Sequence, residues 1–221
     1  MSIIFKGKNS ELDFDIYPAK KDLTPPKKKR ITETVPFMNG NWDFSKIGGK
    51  QYYESRICKY EFDIIGNTKE EMNETAKAVT HWLTVDCEGE SLIDTDLGGF
   101  EFAVINADAS FAEDGLQGLL TVELECDPYM VAHNDTKKMT IIGEPIEMTL
   151  RNRGCEPASV TFYSKSNMII EINGTTYELT SDSAGTYHRE FFTLPMGETV
   201  VKVTAVSDPQ NARFIWDEVS L

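Results

Sequence analysis

Few residues in this chain have types and spacings that could do chemistry. There are three histidines, His81, His133 and His188. None stands in an H-E-x-x-H or G-x-S-x-G setting, so neither a metal-activated water nor an activated serine is signalled. Each reads as a surface histidine. The run Asp94-Thr95-Asp96-Leu97-Gly98-Gly99 opens like a calcium loop. It lacks the third acidic position, and Ile105 stands where the bidentate Glu of such a loop belongs. Gly115 and Gly118 flank Leu116-Gln117 with no Lys-Ser/Thr after them, which is a turn and not a phosphate cradle. Acidic residues are abundant, but no pair of carboxylates is singled out as a general acid and base. The expectation is a protein without catalytic activity, cofactor or metal.

Cysteines and aromatics lead to the same place. Cys58, Cys87, Cys126 and Cys155 are far apart and form no C-x-x-C pair, so metal-ligand spacing is absent. They read as reduced thiols packed like small hydrophobes. Tyr187, Phe191, Phe192 and Trp216 are aromatics of the C-terminal part. Tyr187 and Trp216 are the candidates for stacking on a sugar ring. In a small sandwich, however, most aromatics belong to the core. Trp216 shares strand parity with Phe214, a pairing typical of a core face, whereas Tyr187 shares it with Arg189 and Phe191.

Charge narrows the partners. The formal net charge is −14, the wrong sign for a phosphate binder. Between Lys77 and Lys137 there are thirteen Asp and Glu and no Lys or Arg. This is either a solvated acidic face or a surface that repels something anionic. The basic run Lys27-Lys28-Lys29-Arg30 follows Pro25-Pro26 and reads as an extended, solvated loop. The N-terminal apolar stretch is three residues, too short for a signal peptide. No apolar run reaches 18 residues, so no membrane span is expected.

The elements that hold these residues are mostly strands. Residues 1–24 contain short apolar clusters that suit strands or an extended arm. Asn39-Gly40 signals a tight hairpin turn, and Gly48-Gly49 another. Tyr60, Phe62 and Ile64 alternate with Glu61 and Asp63, as in a half-buried strand. One amphipathic helix is expected over 68–84. Asn67 or Thr68 caps it, Thr68-Lys69-Glu70-Glu71 is a capping box, and Met72, Ala76, Val79 and Leu83 form an apolar stripe widened by Trp82. Afterwards the alternation is β again, with Asp127-Pro128 expected to end a strand. The stretch 133–143 is polar and turn-rich and reads as a linker. Beyond it short strands recur at Ile146 to Leu150, Ser159 to Tyr163, Met168 to Ile172, Tyr187 to Leu194, Thr199 to Val206 and Phe214 to Val219. The expected organisation is mainly β with one helix: a β-sandwich-like domain over 1–132 with a hairpin arm, then a small β-sandwich over 144–221.

Residues 32–57 resemble the signature of siphophage distal tail proteins, a Val-Pro-Gly-x-x-Gly turn, an Asp-x-Ser and a Tyr-Glu-x-Arg that leads into a strand. Pro36, Gly40, Asp43, Ser45, Tyr53, Glu54 and Arg56 match it. Phe37 and Met38 replace the usual Gly and Arg of the turn. The family's helix ends near a Trp-Leu like Trp82-Leu83, and its first domain closes with Asp-Pro-Tyr, here Asp127, Pro128 and Tyr129. The resemblance covers about residues 30–130. It implies a galectin-like second domain and a homo-hexameric ring at the tip of the virion's tail, assembled in the bacterial cytoplasm. It further implies that one face meets the tail tube protein and the other a tail-associated hub or fibre protein, with a receptor-binding protein as a further partner. DNA would pass through the centre without being specifically bound. The competing class is a carbohydrate-binding module that contacts the host wall through its C-terminal sandwich.

Overall fold

The structure, a computed structural model, describes residues 2–221 except Val35, Met38, 47–48, 137–138, 142–143 and 207–209; the side chains of Met139 and Gln210 are also outside the description. The expected turn residues Met38 and Gly48 therefore lie outside the described residues. The chain forms two compact units, Met1–Met130 with Leu221, and Val131–Ser220. The fold is mainly β, and each unit has its own apolar core.

The first unit begins with β1 (Ile3–Phe5), β2 (Lys8–Asn9), the short helix α1 (Ser10–Phe14) and β3 (Pro18–Leu23). A hairpin of β4 (Thr32–Thr34) and β5 (Asn41–Asp43) follows, then β6 (Arg56–Ile65) and α2 (Lys69–Thr84). The unit continues with β7 (Ser91–Asp94), a single 3-10 turn (Thr95–Leu97) and β8 (Glu101–Asp114). Its last strand, β9 (Gln117–Asp135), contributes 131–135 to the second unit. The sheet order is β3-β6-β9-β8-β7-β1-β2.

Helix α2 follows from its sequence. The Thr68 hydroxyl accepts from the Glu71 amide and caps the N-terminus. Glu71 closes the reciprocal half one residue early, since its carboxylate accepts from the Asn67 backbone and side-chain amides. Met72, Ala76, Val79, Trp82 and Leu83 are the buried face. They pack on the inward residues of β6, Cys58, Tyr60, Phe62 and Ile64, and of β9, Leu120, Val122, Leu124 and Cys126. Fully burying each large side chain stabilises by roughly 1.5–3 kcal/mol. Lys6, in the left-handed region at φ 48°, closes the other end by donating to the carbonyls of Trp82 and Val85.

The second unit packs two sheets around a common core. One contains β15 (Thr186–Leu194), β12 (Ala158–Ser164) and β17 (Gln210–Ser220), with β10 (Met139–Ile141) and the end of β9 beside β17. The other has the order β11 (Ile146–Asn152), β16 (Gly197–Ala205), β13 (Met168–Ile172), β14 (Thr175–Leu179). Val160, Phe162, Ile170, Val201, Val203 and Phe214 sit at the centre with no exposed surface. Asn173 and Gly174, both at positive φ (49° and 79°), make the β13–β14 turn.

Several expectations are corrected. Asn39-Gly40 does not form a two-residue hairpin turn, because β4 ends at Thr34 and β5 begins at Asn41. Pro128 does not end its strand: pairing with β6 stops at Arg56↔Cys126, so Pro128 removes no donor from that ladder and β9 runs on to Asp135. The stretch 133–143 includes the end of β9 and all of β10. Cys155 is exposed, while Cys58, Cys87 and Cys126 are buried.

Candidate interaction surface

Six of the residues that carry the family resemblance, Pro36, Gly40, Asp43, Ser45, Tyr53 and Glu54, lie on one feature of the first unit, an extended arm between β3 and β6. Arg56 opens β6, Trp82 and Leu83 lie in the last turn of α2, and Asp127, Pro128 and Tyr129 lie on β9. Backbone bonds zip its two limbs together: Lys29 N to the Tyr52 carbonyl at 2.9 Å, Glu54 N to Lys27 at 2.8 Å and Phe44 N to Ile31 at 2.8 Å, with a bridge between Lys28 and Tyr53. Asp43 and Ser45 set the corner. Asp43 accepts from the Ser45 amide at 2.8 Å, and the Ser45 hydroxyl accepts from Ile31 N at 2.9 Å. Ser45 is buried, and its contacts hold the Asp43 carboxyl below the usual carboxylate range. Gly40, at φ 89°, permits the left-handed backbone on entry to β5. Pro36 lies on the exposed connection before it.

The base of the arm meets the end of the first unit. The Tyr53 and Tyr129 rings meet edge-to-face with centroids 6.0 Å apart. Ser55 donates to Glu125 at 2.5 Å. Glu54 is exposed, as is Asp127, and Pro128 is half-buried. Arg56 is 5% exposed and lies over the Phe102 ring at 5.1 Å. Its Nε and Nη1 have no hydrogen-bond partner among the described residues. Beside it, the Cys126 thiol and then the Arg56 charge pull the Cys58 thiol down, while Cys126 is pushed up by the same contact.

The arm exposes apolar groups that a lone chain has no use for. Phe37 is fully exposed, Trp42 is 52% exposed, and Tyr52 and Ile31 are also open to solvent. Every residue of β4 and β5 is exposed. Exposed apolar side chains gathered on one arm make it the candidate interaction surface of the first unit.

The outward face of β6 and β9 carries five carboxylates beside Lys59 and the exposed Ile57, Ile65 and Leu119. Glu61 and Asp63 on β6 and Glu123, Glu125 and Asp127 on β9 alternate with the core residues. Lys20 and Lys59 pair with Glu61 at 3.5 Å and Glu123 at 3.1 Å. The inside holds a cluster that no motif announced. Asp94, with no exposed surface, accepts from Lys21 Nζ at 3.1 Å, Tyr60 Oη at 3.2 Å and Asp96 N at 2.9 Å. Lys21 also reaches Asp96 at 2.8 Å. The would-be calcium loop thus spends its first carboxylate on an internal ion pair. Among the described residues no three His, Cys, Asp or Glu gather as a metal set, and no helix is long and apolar enough to cross a membrane.

The two sugar candidates part company. Trp216 is 8% exposed and belongs to the core of the second unit. Tyr187 is 50% exposed on the outer face of its sheet.

No family model matches the chain, and no curated protein matches it by sequence. Among solved structures, the chain is similar to the crystal structure of the Dit protein of SPP1, a paradigm of hub adsorption apparatus in phages that infect Gram-positive hosts. The two superpose with a TM-score of 0.62 over 100% of this chain and 99% of that one, at 11% identity. That likeness is one of fold. An exo-beta-1,3-galactanase from Phanerochaete chrysosporium, solved with galactose, reaches a TM-score of only 0.27 at 11% identity, over 88% of this chain and 56% of that one, and carries no argument.

Proposed function

We propose that the chain is a structural protein of a phage virion, a distal tail protein that forms a hexameric ring between the tail tube and the tail-tip adsorption apparatus. The observation that carries this reading is the fold match to a hub adsorption protein, which spans 100% of this chain and 99% of that one. The arm supports it. Its exposed Phe37, Trp42 and Tyr52 and its two-stranded β4-β5 sheet, whose outer edges pair with no other strand among the described residues, suit burial against a neighbouring copy in a ring. The acidic outward face of β6 and β9 suits a lumen, because like charge repels phosphate and lets DNA slide. In this role the first unit, the ring-forming domain of about residues 1–132, builds the ring, and the second docks a hub, fibre or receptor-binding protein. The chain acts by binding and positioning, not by catalysis, with assembly in the host cytoplasm and a final place at the tail tip.

The test is the native mass of the full chain, alone and mixed with its tail tube and hub proteins. A species of six copies is expected, weakened by Trp42→Ser. A chain that stays monomeric in every mixture refutes the ring.

A further inference from the structure

The outer face of the β15-β12-β17 sheet carries an ordered row of side chains. Register places Tyr187 opposite Tyr163, and Tyr163 opposite Arg213, on three successive strands. The two tyrosine rings lie 4.7 Å apart. The Arg213 guanidinium lies over both, at 5.3 Å from Tyr163 and 5.8 Å from Tyr187. It donates to the Tyr187 hydroxyl at 2.7 Å and to Asp135 at 3.2 Å. The Tyr163 hydroxyl donates to the Ala184 carbonyl, and Gly185, at φ 101°, lies so close that a Cβ there would fall 2.2 Å from it. The ring orientation is thereby set before any ligand arrives.

We propose that this row is a binding site for a neutral pyranose, the ring stacking on Tyr187 and its hydroxyls bonding to Asp135 and Arg213. Three features favour a sugar. Half of Tyr187 and half of the Asp135 side chain are open to solvent. An amphipathic ring with a fixed hydroxyl is an aromatic platform beside polar groups. Preorganisation lowers the ordering cost of binding. Two features select a neutral sugar over a polyanion. Asp135 already neutralises Arg213, and the chain carries a net charge of −14. Stability alone does not account for the cluster, because Arg213 Nε is buried in it without a hydrogen-bond partner among the described residues. The proposal is independent of ring formation.

The experiment is saturation-transfer NMR on the full chain with methyl glycosides of glucose, galactose, N-acetylglucosamine and rhamnose at millimolar concentration, beside inorganic polyphosphate. Transfer to the ring protons of at least one glycoside is expected, with the dissociation constant raised about tenfold or more by Tyr187→Ala. Tyr187→Phe keeps the platform and loses only the hydroxyl, so it guards against a folding defect and should bind more weakly than wild type but better than the alanine variant. Trp216→Phe should bind like wild type. No transfer to any glycoside, transfer unchanged in both Tyr187→Ala and Arg213→Gln, or binding of polyphosphate alone would overturn the proposal.

Discussion

Replacing Asp94 by alanine should loosen the whole first unit. The strand order puts β3 and β7 far apart in the sheet, yet Lys21 of β3 reaches Asp94 of β7 at 3.1 Å. The carboxylate is thus a latch between strands that share no backbone bonds. Alanine strands the Tyr60 hydroxyl, which has no exposed surface, at a cost of about 1–3 kcal/mol. Breaking a buried ion pair from one side costs about 3–5 kcal/mol. Lys21 keeps Asp96 and is 25% exposed, so its own share falls at the low end. The sum is about 4–6 kcal/mol, or roughly 15–20 °C in the melting midpoint of a unit this size. Asp94→Asn keeps an acceptor for Tyr60 and should lose about half as much. Thermal unfolding of the full chain, with hydrogen exchange of the β6 and β7 amides to assign the transition, is the assay. A midpoint within about 3 °C of wild type for Asp94→Ala would falsify the latch. Alkali tests the same cluster. The Lys21 ammonium sits above its usual value: burial lowers it, but the bonds to Asp96 and Asp94 outweigh that. Tyr60 is raised by burial first and by Asp94 second. Both groups favour the protonated folded form, so their contribution is complete below about pH 10 and is lost above it. Stability of the first unit should fall steeply above that pH, and less steeply in Tyr60→Phe.

Trp82→Ala should cost about 3–5 kcal/mol in denaturant unfolding, because Trp82 stacks on Phe14 at 4.6 Å and donates to the Phe5 carbonyl at 2.9 Å; an unchanged midpoint would mean that the helix face is misassigned. Gly66→Ala should destabilise by about 1–3 kcal/mol, since its Cβ would sit 2.7 Å from Met72 N and the Thr68 carbonyl. Arg56→Met should unfold at no lower a midpoint than wild type, because two nitrogens of the buried guanidinium have no partner among the described residues; a clear loss of stability would reveal a partner for Arg56 inside the chain. Reversing the charge of Glu123, Glu125 and Asp127 together should raise affinity for double-stranded DNA at low salt, measured by fluorescence anisotropy, and no change would count against an acidic lumen.

Periodicity alone determined the helix and most of the strands. The 4-3-4 spacing of Met72, Ala76, Val79 and Leu83 has one solution, a buried face on a single helix, and that face is buried. Met168 to Ile172 reads as a short apolar strand and is one with those ends. Asp43 and Ser45 stand out in the sequence only through the family resemblance, and the structure joins them at a corner by the Ser45 amide. What the sequence left undecided depends on contacts distant along the chain. In the sequence Pro128 reads as a stop, because its effect on a ladder is local, yet whether β6 lies beside it is set by where β6 ends. Tyr187 and Trp216 are both strand aromatics, and only the packing of one sheet on another put Trp216 in the core and left Tyr187 beside Arg213 and Tyr163. Lys21 and Asp94 are 73 residues apart and look like two surface charges; the tertiary fold buries the carboxylate and makes them a pair. Alternation records which face a residue takes, and only the fold decides what that face meets.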